Sequence, residues 1–236
     1  MNNWKKIWEK RELRAEVLDK ADKNELFAEL KRCNGFDVVG GIPLDSLIKQ
    51  YNTTKDKLLQ YGPSSRSIYE VGCGSGANLF MFAQDGWRVG GLDYSNALIS
   101  IAEKVLDTDD LLCAEAAYTP EEPKYDCLLS NSVFSYFESY DYALAVLERM
   151  YNKANSAIAL IDIHDIEKKD AYHAFRKAEI EDYEERYRDL PKLFYSRKLF
   201  EDFAAGHDMQ LEFYSCDMEG YWNDDFTFHL IMSKNK

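Results

Sequence analysis

The run Ser67-Ile68-Tyr69-Glu70-Val71-Gly72-Cys73-Gly74-Ser75-Gly76-Ala77 constrains this chain more than any other stretch. A short run of β-forming residues ends in three glycines at alternate positions, and a helical pattern begins at once. Strand, tight turn and helix in direct succession open a βαβ unit. Glycines there permit positive φ and let a ligand approach the backbone, and N–H groups at the helix start are free to donate to it. Asp93 stands seventeen residues past Gly76, at the end of the next apolar run, 87–92. A carboxylate in that place can accept hydrogen bonds from a ribose diol. Glycine loop and acidic strand end together point to an adenosine-containing cofactor.

Short apolar runs alternate with helical segments through the rest of the chain. Strands are predicted at 67–71, 87–92, 110–114, 125–130 and 156–163, with helices at 76–84, 95–106, 138–151 and 196–204. This alternation argues for an α/β fold with a parallel sheet flanked by helices. The last two runs, 209–215 and 226–233, are ten residues apart with no helix between them, so they should pair antiparallel. Ahead of the glycine loop, Trp4, Ile7 and Trp8, then Leu26, Phe27 and Leu30, sit at helical spacing within dense charge and predict one or two surface helices. Gly35, Gly40, Gly41 and Pro43 break the pattern before an amphipathic stretch at 44–59. An N-terminal helical appendage, 1–62, should therefore precede the main domain, 63–236. Within that domain Tyr172, Phe175, Ile180, Tyr183 and Tyr187 mark 165–195 as an inserted helical lid.

Charge and cysteine usage exclude several classes of partner. Lys+Arg 29 against Asp+Glu 42 gives a net −13, a field that repels nucleic acid and anionic membrane. The five cysteines form no C-x-x-C pair, which suits a reducing cytoplasm and no structural metal. Residues 1–14 lack the apolar core of a signal peptide, and no run approaches the ~18 apolar residues of a membrane span, so a cytoplasmic protein is expected.

Two cofactors compete for the loop, because Gly72-x-Gly74-x-x-Ala77 also fits the dinucleotide fingerprint. Glu70, two residues before the first glycine, is a poor neighbour for a pyrophosphate and a good one for a cationic amino acid. The antiparallel strand pair at the C-terminus replaces a second mononucleotide-binding half. The loop also begins after some seventy residues, where most dinucleotide domains place it near their start.

Glu70-Val71-Gly72-Cys73-Gly74-Ser75-Gly76, Gly91-Leu92-Asp93-Tyr94-Ser95 and strand 125–130 running into Asn131-Ser132-Val133-Phe134 together resemble the class I S-adenosylmethionine-dependent methyltransferases. The likeness covers 64–236. It implies a Rossmann-like, doubly wound, seven-stranded, mostly parallel sheet with a reversed last strand. It also implies that Glu70, Gly72, Cys73, Gly74 and Gly76 hold the methionyl part, Asp93 the ribose hydroxyls, and Tyr94 the adenine face. Glu115, where the family more often has Asp, and Ala116 would meet the adenine edge, and Asn131 would line the methyl-transfer channel. An NAD-dependent oxidoreductase and a non-catalytic methyltransferase-like binding domain are the alternatives.

The cofactor brings electrophile and leaving group, so the protein must align the acceptor and, where needed, take its proton. Asp162, His164 and Asp165 follow the most apolar strand, at the end where open α/β sheets bind ligands. His164 and Asp165 are the candidate bases, with His164 titrating near neutrality, and Tyr136 is a second choice. Trp4, Trp8 and Arg11 recur at i, i+4, i+7, so Trp8 and Arg11 could cover the cofactor, Arg11 pairing with its carboxylate. Sixteen tyrosines suit an amphipathic pocket for a polar small molecule. The expected partner is a small-molecule acceptor with a reactive oxygen or nitrogen, the protein acting as monomer or homodimer.

Overall fold

The computed structural model describes residues 3–14, 16–17, 22–36, 41–61 and 65–235. Seven strands form one sheet: β1 (Ser67–Val71), β2 (Arg88–Asp93), β3 (Leu111–Cys113), β4 (Tyr125–Asn131), β5 (Ala154–His164), β6 (Met209–Tyr214) and β7 (Thr227–Lys234). Their order across the sheet is β3-β2-β1-β4-β5-β7-β6. β1 pairs in parallel with β2 and β4, as do β2 with β3 and β4 with β5. β7 runs antiparallel between β5 and β6. This is the doubly wound sheet with a reversed last strand, and the 215–226 connection, which holds no α-helix, joins the antiparallel pair.

Helices cover both faces. α1 (Asn3–Trp8), α2 (Lys23–Cys33) and α3 (Leu44–Gln60) precede the sheet. Among the described residues the stretch read from Trp4 to Leu30 thus holds α1 and the start of α2 as separate helices. The Gly62-Pro63 boundary lies outside the described residues. α4 (Ala77–Gln84) and α5 (Asn96–Val105) follow β1 and β2. α2 to α5 send Phe27, Leu30, Leu58, Leu79 and Ile99 into a core that also takes Leu129 and Ile231 from the sheet. The opposite face is covered by α6 (Tyr140–Lys153) and α9 (Arg197–Gly206), through Val146, Leu147 and Phe200. Local sequence sets the helix starts: Asp22 accepts the Asn24 and Glu25 N–H groups, Ser95 that of Leu98, and Ser139 that of Tyr142. After β5, the 3₁₀ turn Ile166–Lys168, α7 (Lys169–Glu179) and α8 (Tyr183–Tyr187) form the helical lid. The Trp4 indole N–H donates to the Pro191 carbonyl at 3.0 Å, so α1 and the lid meet as a roof over the carboxyl ends of the strands.

Candidate active site

β2 and β4 leave β1 on opposite sides, and at the carboxyl ends of these strands opens a cavity of about 450 Å³. Glu70, Gly72 and Gly74, Asp93 and Tyr94, Glu115 and Ala116, and Asn131 all line it. Gly72 and Gly74 have φ of +76° and +55°. A Cβ on Gly72 would stand 2.3 Å from Val133, and one on Gly74 would stand 2.4 Å from Oδ1 of Asn34. The glycines are therefore demanded by the protein's own packing as much as by any ligand.

The loop differs from expectation in one chemical respect. The Gly72 and Cys73 N–H groups both donate to the Leu92 carbonyl, at 2.8 and 2.9 Å, and Gly76 N–H donates to Cys73 O at 2.9 Å. Gly74 N–H donates to Asp93 Oδ2 at 3.0 Å and Ser75 N–H to Asn34 Oδ1 at 2.7 Å. All five loop N–H groups are spent inside the protein, so the loop offers shape instead of donors. Cys73 and Gly76 do not reach the cavity, a correction to the reading of the loop as a continuous lining. Cys73 is buried in the core behind it, and Gly76 opens α4 against Leu106 and Ala102. Successive residues of a tight turn face opposite ways, and only Gly72 and Gly74 face the ligand side.

Glu70 is 1% exposed. Its Oε1 accepts from Asn78 Nδ2 at 2.6 Å, while Oε2 has no hydrogen-bond partner among the described residues. Burial pushes this carboxyl well above its usual range, and the Lys31 ammonium on the same cavity wall, pulled down by burial, works against that rise. Asp93 accepts from Ser95 N–H at 2.8 Å as well as from Gly74. Burial raises its pKa to about 6, against the pull of those two N–H groups. Asp93→Ala is expected to weaken cofactor binding by about 1.5–3 kcal/mol, the range for a lost hydrogen bond to a charged group. The native carboxylate should likewise bind the cofactor less well as pH falls through about 6, where it protonates. Titration calorimetry of both proteins across that range checks this, and unchanged affinity in the variant would remove Asp93 from the site.

The N-terminal helices complete the cavity. Trp8 lines it, but Arg11 does not: its guanidinium lies 5.7 Å from the Trp8 ring centre on a second cavity's wall and donates to the Arg32 carbonyl at 3.4 Å. α1 ends at Trp8, which carries Arg11 off the helix face shared by the two tryptophans. The cation inside the first cavity is Lys31, which the sequence reading missed along with Asn34. Phe27, Leu30, Lys31 and Asn34 follow i, i+3, i+4, i+7, so a lysine in an apolar stripe was the available signal. Glu9 accepts the Asn96 and Ala97 N–H groups at 3.0 and 3.2 Å and so ties this roof to the start of α5.

The second cavity, about 330 Å³, adjoins the first along Trp8, Asn34, Phe36, Ser132 and Tyr136. Ser132 and Asp162, both at positive φ (+59° and +57°), meet at this junction, Ser132 Oγ donating to Asp162 Oδ2 at 2.5 Å. The β5–β7 register slips between Leu160 and Ile163, and this bulge turns Asp162 to the cavity. The Tyr221 hydroxyl also donates to Asp162 Oδ2, at 2.9 Å. His164 lines the second cavity with its ring 4.9 Å from Tyr172 and 5.1 Å from Phe194. Its Nε2 is 3.3 Å from Asn223 Nδ2, and its Nδ1 has no hydrogen-bond partner among the described residues. Burial, with Lys192 and Arg176 nearby, holds its pKa well below the ordinary imidazole range. Asp165 lines neither cavity. It caps the following turn through Glu167 N–H at 3.0 Å and pairs with Arg197 at 3.4 Å, which corrects its reading as a base. Tyr136 packs edge-on against Trp4 and Trp8, and burial raises its hydroxyl pKa.

Residues 69–156 match the family model described as a methyltransferase domain. No curated protein matches the chain by sequence. Among solved structures, a plantazolicin methyltransferase, BpumL, crystallised with a triazolic desmethylPZN analog and S-adenosylhomocysteine, is 17% identical over 100% of both chains with a TM-score of 0.63. The magnesium protoporphyrin IX methyltransferase of Synechocystis PCC 6803 is 13% identical over 92% of this chain and 99% of that one, TM-score 0.56. An amino pentose methyltransferase of Micromonospora echinaspora is 13% identical over 79% and 90%, TM-score 0.59. These structures share the fold. Residues 69–156 thus match a methyltransferase domain, and the chain shares the fold of S-adenosylmethionine-dependent methyltransferases. Among the described residues no helix is long and apolar enough to cross a membrane, and no cluster of His, Cys, Asp and Glu could hold a metal.

Proposed function

We propose that this protein transfers the methyl group of S-adenosylmethionine to an oxygen or nitrogen of a small organic molecule. The observation that carries the cofactor is the pairing of an unpartnered Glu70 oxygen with a glycine loop whose N–H groups are all engaged. A pyrophosphate needs those donors and would face a buried carboxylate, whereas an ammonium supplies what Glu70 lacks. The first cavity thus favours an amino-acid-bearing nucleoside over a dinucleotide.

When bound, S-adenosylmethionine supplies a sulfonium methyl and its leaving group. Glu70 and Lys31 hold the charged ends of the amino acid, Asp93 the ribose, and Tyr94, Glu115 and Ala116 surround the base. Trp8 closes the cavity from above, and Asn131, Ser132 and Tyr136 form the wall through which donor and acceptor meet. His164, in the second cavity, is the proton acceptor where the nucleophile needs one. The free thiols fit a cytoplasmic setting, and the net −13 charge fits a small-molecule partner for a protein working as monomer or homodimer. Release of S-adenosylhomocysteine from a panel of small hydroxyl and amine acceptors tests the reading. Cofactor binding without release for any acceptor would leave a binding domain instead.

The His164 environment supports an unusual pH behaviour. A group with lowered pKa is neutral throughout the physiological range, so turnover should show no step at the ordinary imidazole value of about 6.5. His164→Ala is expected to cost roughly 10²- to 10⁴-fold in turnover while the cofactor dissociation constant stays level. A variant with native turnover hands the role to Asp162, Tyr136 or no residue at all.

A further inference from the structure

The second cavity has a charge opposite to that of its protein. In a chain of net −13, Arg11, Arg176, Arg186 and Lys192 line it, and Asp162 is its one described carboxylate. That carboxylate already accepts the Ser132 and Tyr221 hydroxyls. Arg176, on α7, is 4% exposed and forms no ion pair among the described residues. Its guanidinium is held by aromatic rings, 4.9 Å from the centres of both Tyr187 and Trp222 and 5.5 Å from Tyr183, and its Nε has no hydrogen-bond partner among the described residues. The Lys192 ammonium stands 4.3 Å from the Tyr136 ring centre and 5.5 Å from that of Trp4, also without an ion pair among the described residues. A buried guanidinium beside a second cation costs free energy unless a counter-ion joins them. Burial and the neighbouring Arg176 pull the Lys192 pKa down to about 7.

We propose that the methyl acceptor carries a carboxylate or phosphate, held by Arg176 and Lys192, with its nucleophilic end at the Ser132–Tyr136 wall shared with the first cavity. This rests on the second cavity being the acceptor site. An oxyanion satisfies both unpaired cations, and the planar guanidinium is suited to take it through two parallel hydrogen bonds. Tyr172, Tyr187 and Trp222 give the acceptor flat walls, and the volume suits a molecule of metabolite size.

Titration calorimetry with benzoate, phenyl phosphate and the neutral benzamide, on the full chain with and without saturating S-adenosylhomocysteine, tests the proposal. One of the two anions should bind at least about tenfold tighter than benzamide, as expected for a charge-assisted hydrogen bond, and the tighter one identifies the oxyanion. Arg176→Gln and Lys192→Gln should each remove that preference. Lys192 is half-buried, so its variant decides the matter if the Arg176 variant does not fold. Equal binding of all three probes, no binding of either anion, or a preference that survives the substitutions overturns the proposal. The S-adenosylhomocysteine titration reads the first cavity separately: normal binding there with no anion preference refutes this inference alone. An anion preference without homocysteine-nucleoside binding refutes the methyltransferase reading and leaves the anion site.

Discussion

Replacing Gly74 with valine is expected to abolish cofactor binding and to loosen the N-terminal helices together. The residue has φ +55°, where a β-branched side chain costs of order 1–3 kcal/mol. Its Cβ would fall 2.4 Å from Asn34 Oδ1, the acceptor of the Ser75 N–H bond. Relief requires the Asn34 side chain, at the C-terminal end of α2, to swing away and give up the Ser75 N–H bond beside the cavity wall that holds Lys31. Strain and lost packing should sum to about 3–5 kcal/mol, at the upper end for a single change. Gly86 separates these causes, since it has φ +79° but nothing within 4 Å of a Cβ. Gly86→Val should therefore lower the melting temperature without touching cofactor affinity. A Gly74 variant that binds S-adenosylhomocysteine normally would show that the loop serves packing alone.

Asp162→Ala is expected to be the next most damaging change. The carboxylate takes hydroxyl hydrogen bonds from Ser132 and Tyr221, each worth about 1.5–3 kcal/mol when made to a charged group. The Tyr221 hydroxyl would lose this acceptor, Ser132 would keep only Asn131 Oδ1 at 2.9 Å, and alanine at φ +57° would lose the tolerance that Asp has for this conformation. A loss of about 3–5 kcal/mol in unfolding free energy is the consequence, with turnover falling further because Ser132 stands on the wall between the cavities. Asp162→Asn keeps the shape, the backbone tolerance and an acceptor, and should recover more than half of the stability. Denaturant unfolding of the two variants beside the native protein checks this. Equal stability for Ala and Asn would mean that the hydroxyls find other partners.

Much of this architecture is local and therefore legible in the chain. β1 is a five-residue run delimited by a glycine turn, and its bounds follow from composition alone. The reversed β7 follows from a connection too short for a crossover. Glu70 and Asp93 are legible because strand ends fix their places. Side chains brought in from remote segments are another matter. Lys31 and Asn34 reach the glycine loop from more than thirty residues upstream, and Arg176 and Lys192 come from the lid. Asp165 was misread because strand proximity does not say which way a side chain turns. The bulge in β5 sends Asp162 to the cavity, while Asp165 turns to Arg197. His164 was located correctly in the fold, but its expected titration near neutrality ignored the burial and the two cations beside it.

The central claim is that the first cavity is built for a cationic amino acid joined to a nucleoside and not for a dinucleotide. Titration calorimetry of the native protein with S-adenosylhomocysteine and with NAD tests it directly. One-to-one binding of S-adenosylhomocysteine, weakened by Asp93→Ala, and no heat of binding with NAD is the predicted result. Saturable binding of NAD, with S-adenosylhomocysteine failing to compete, would contradict it.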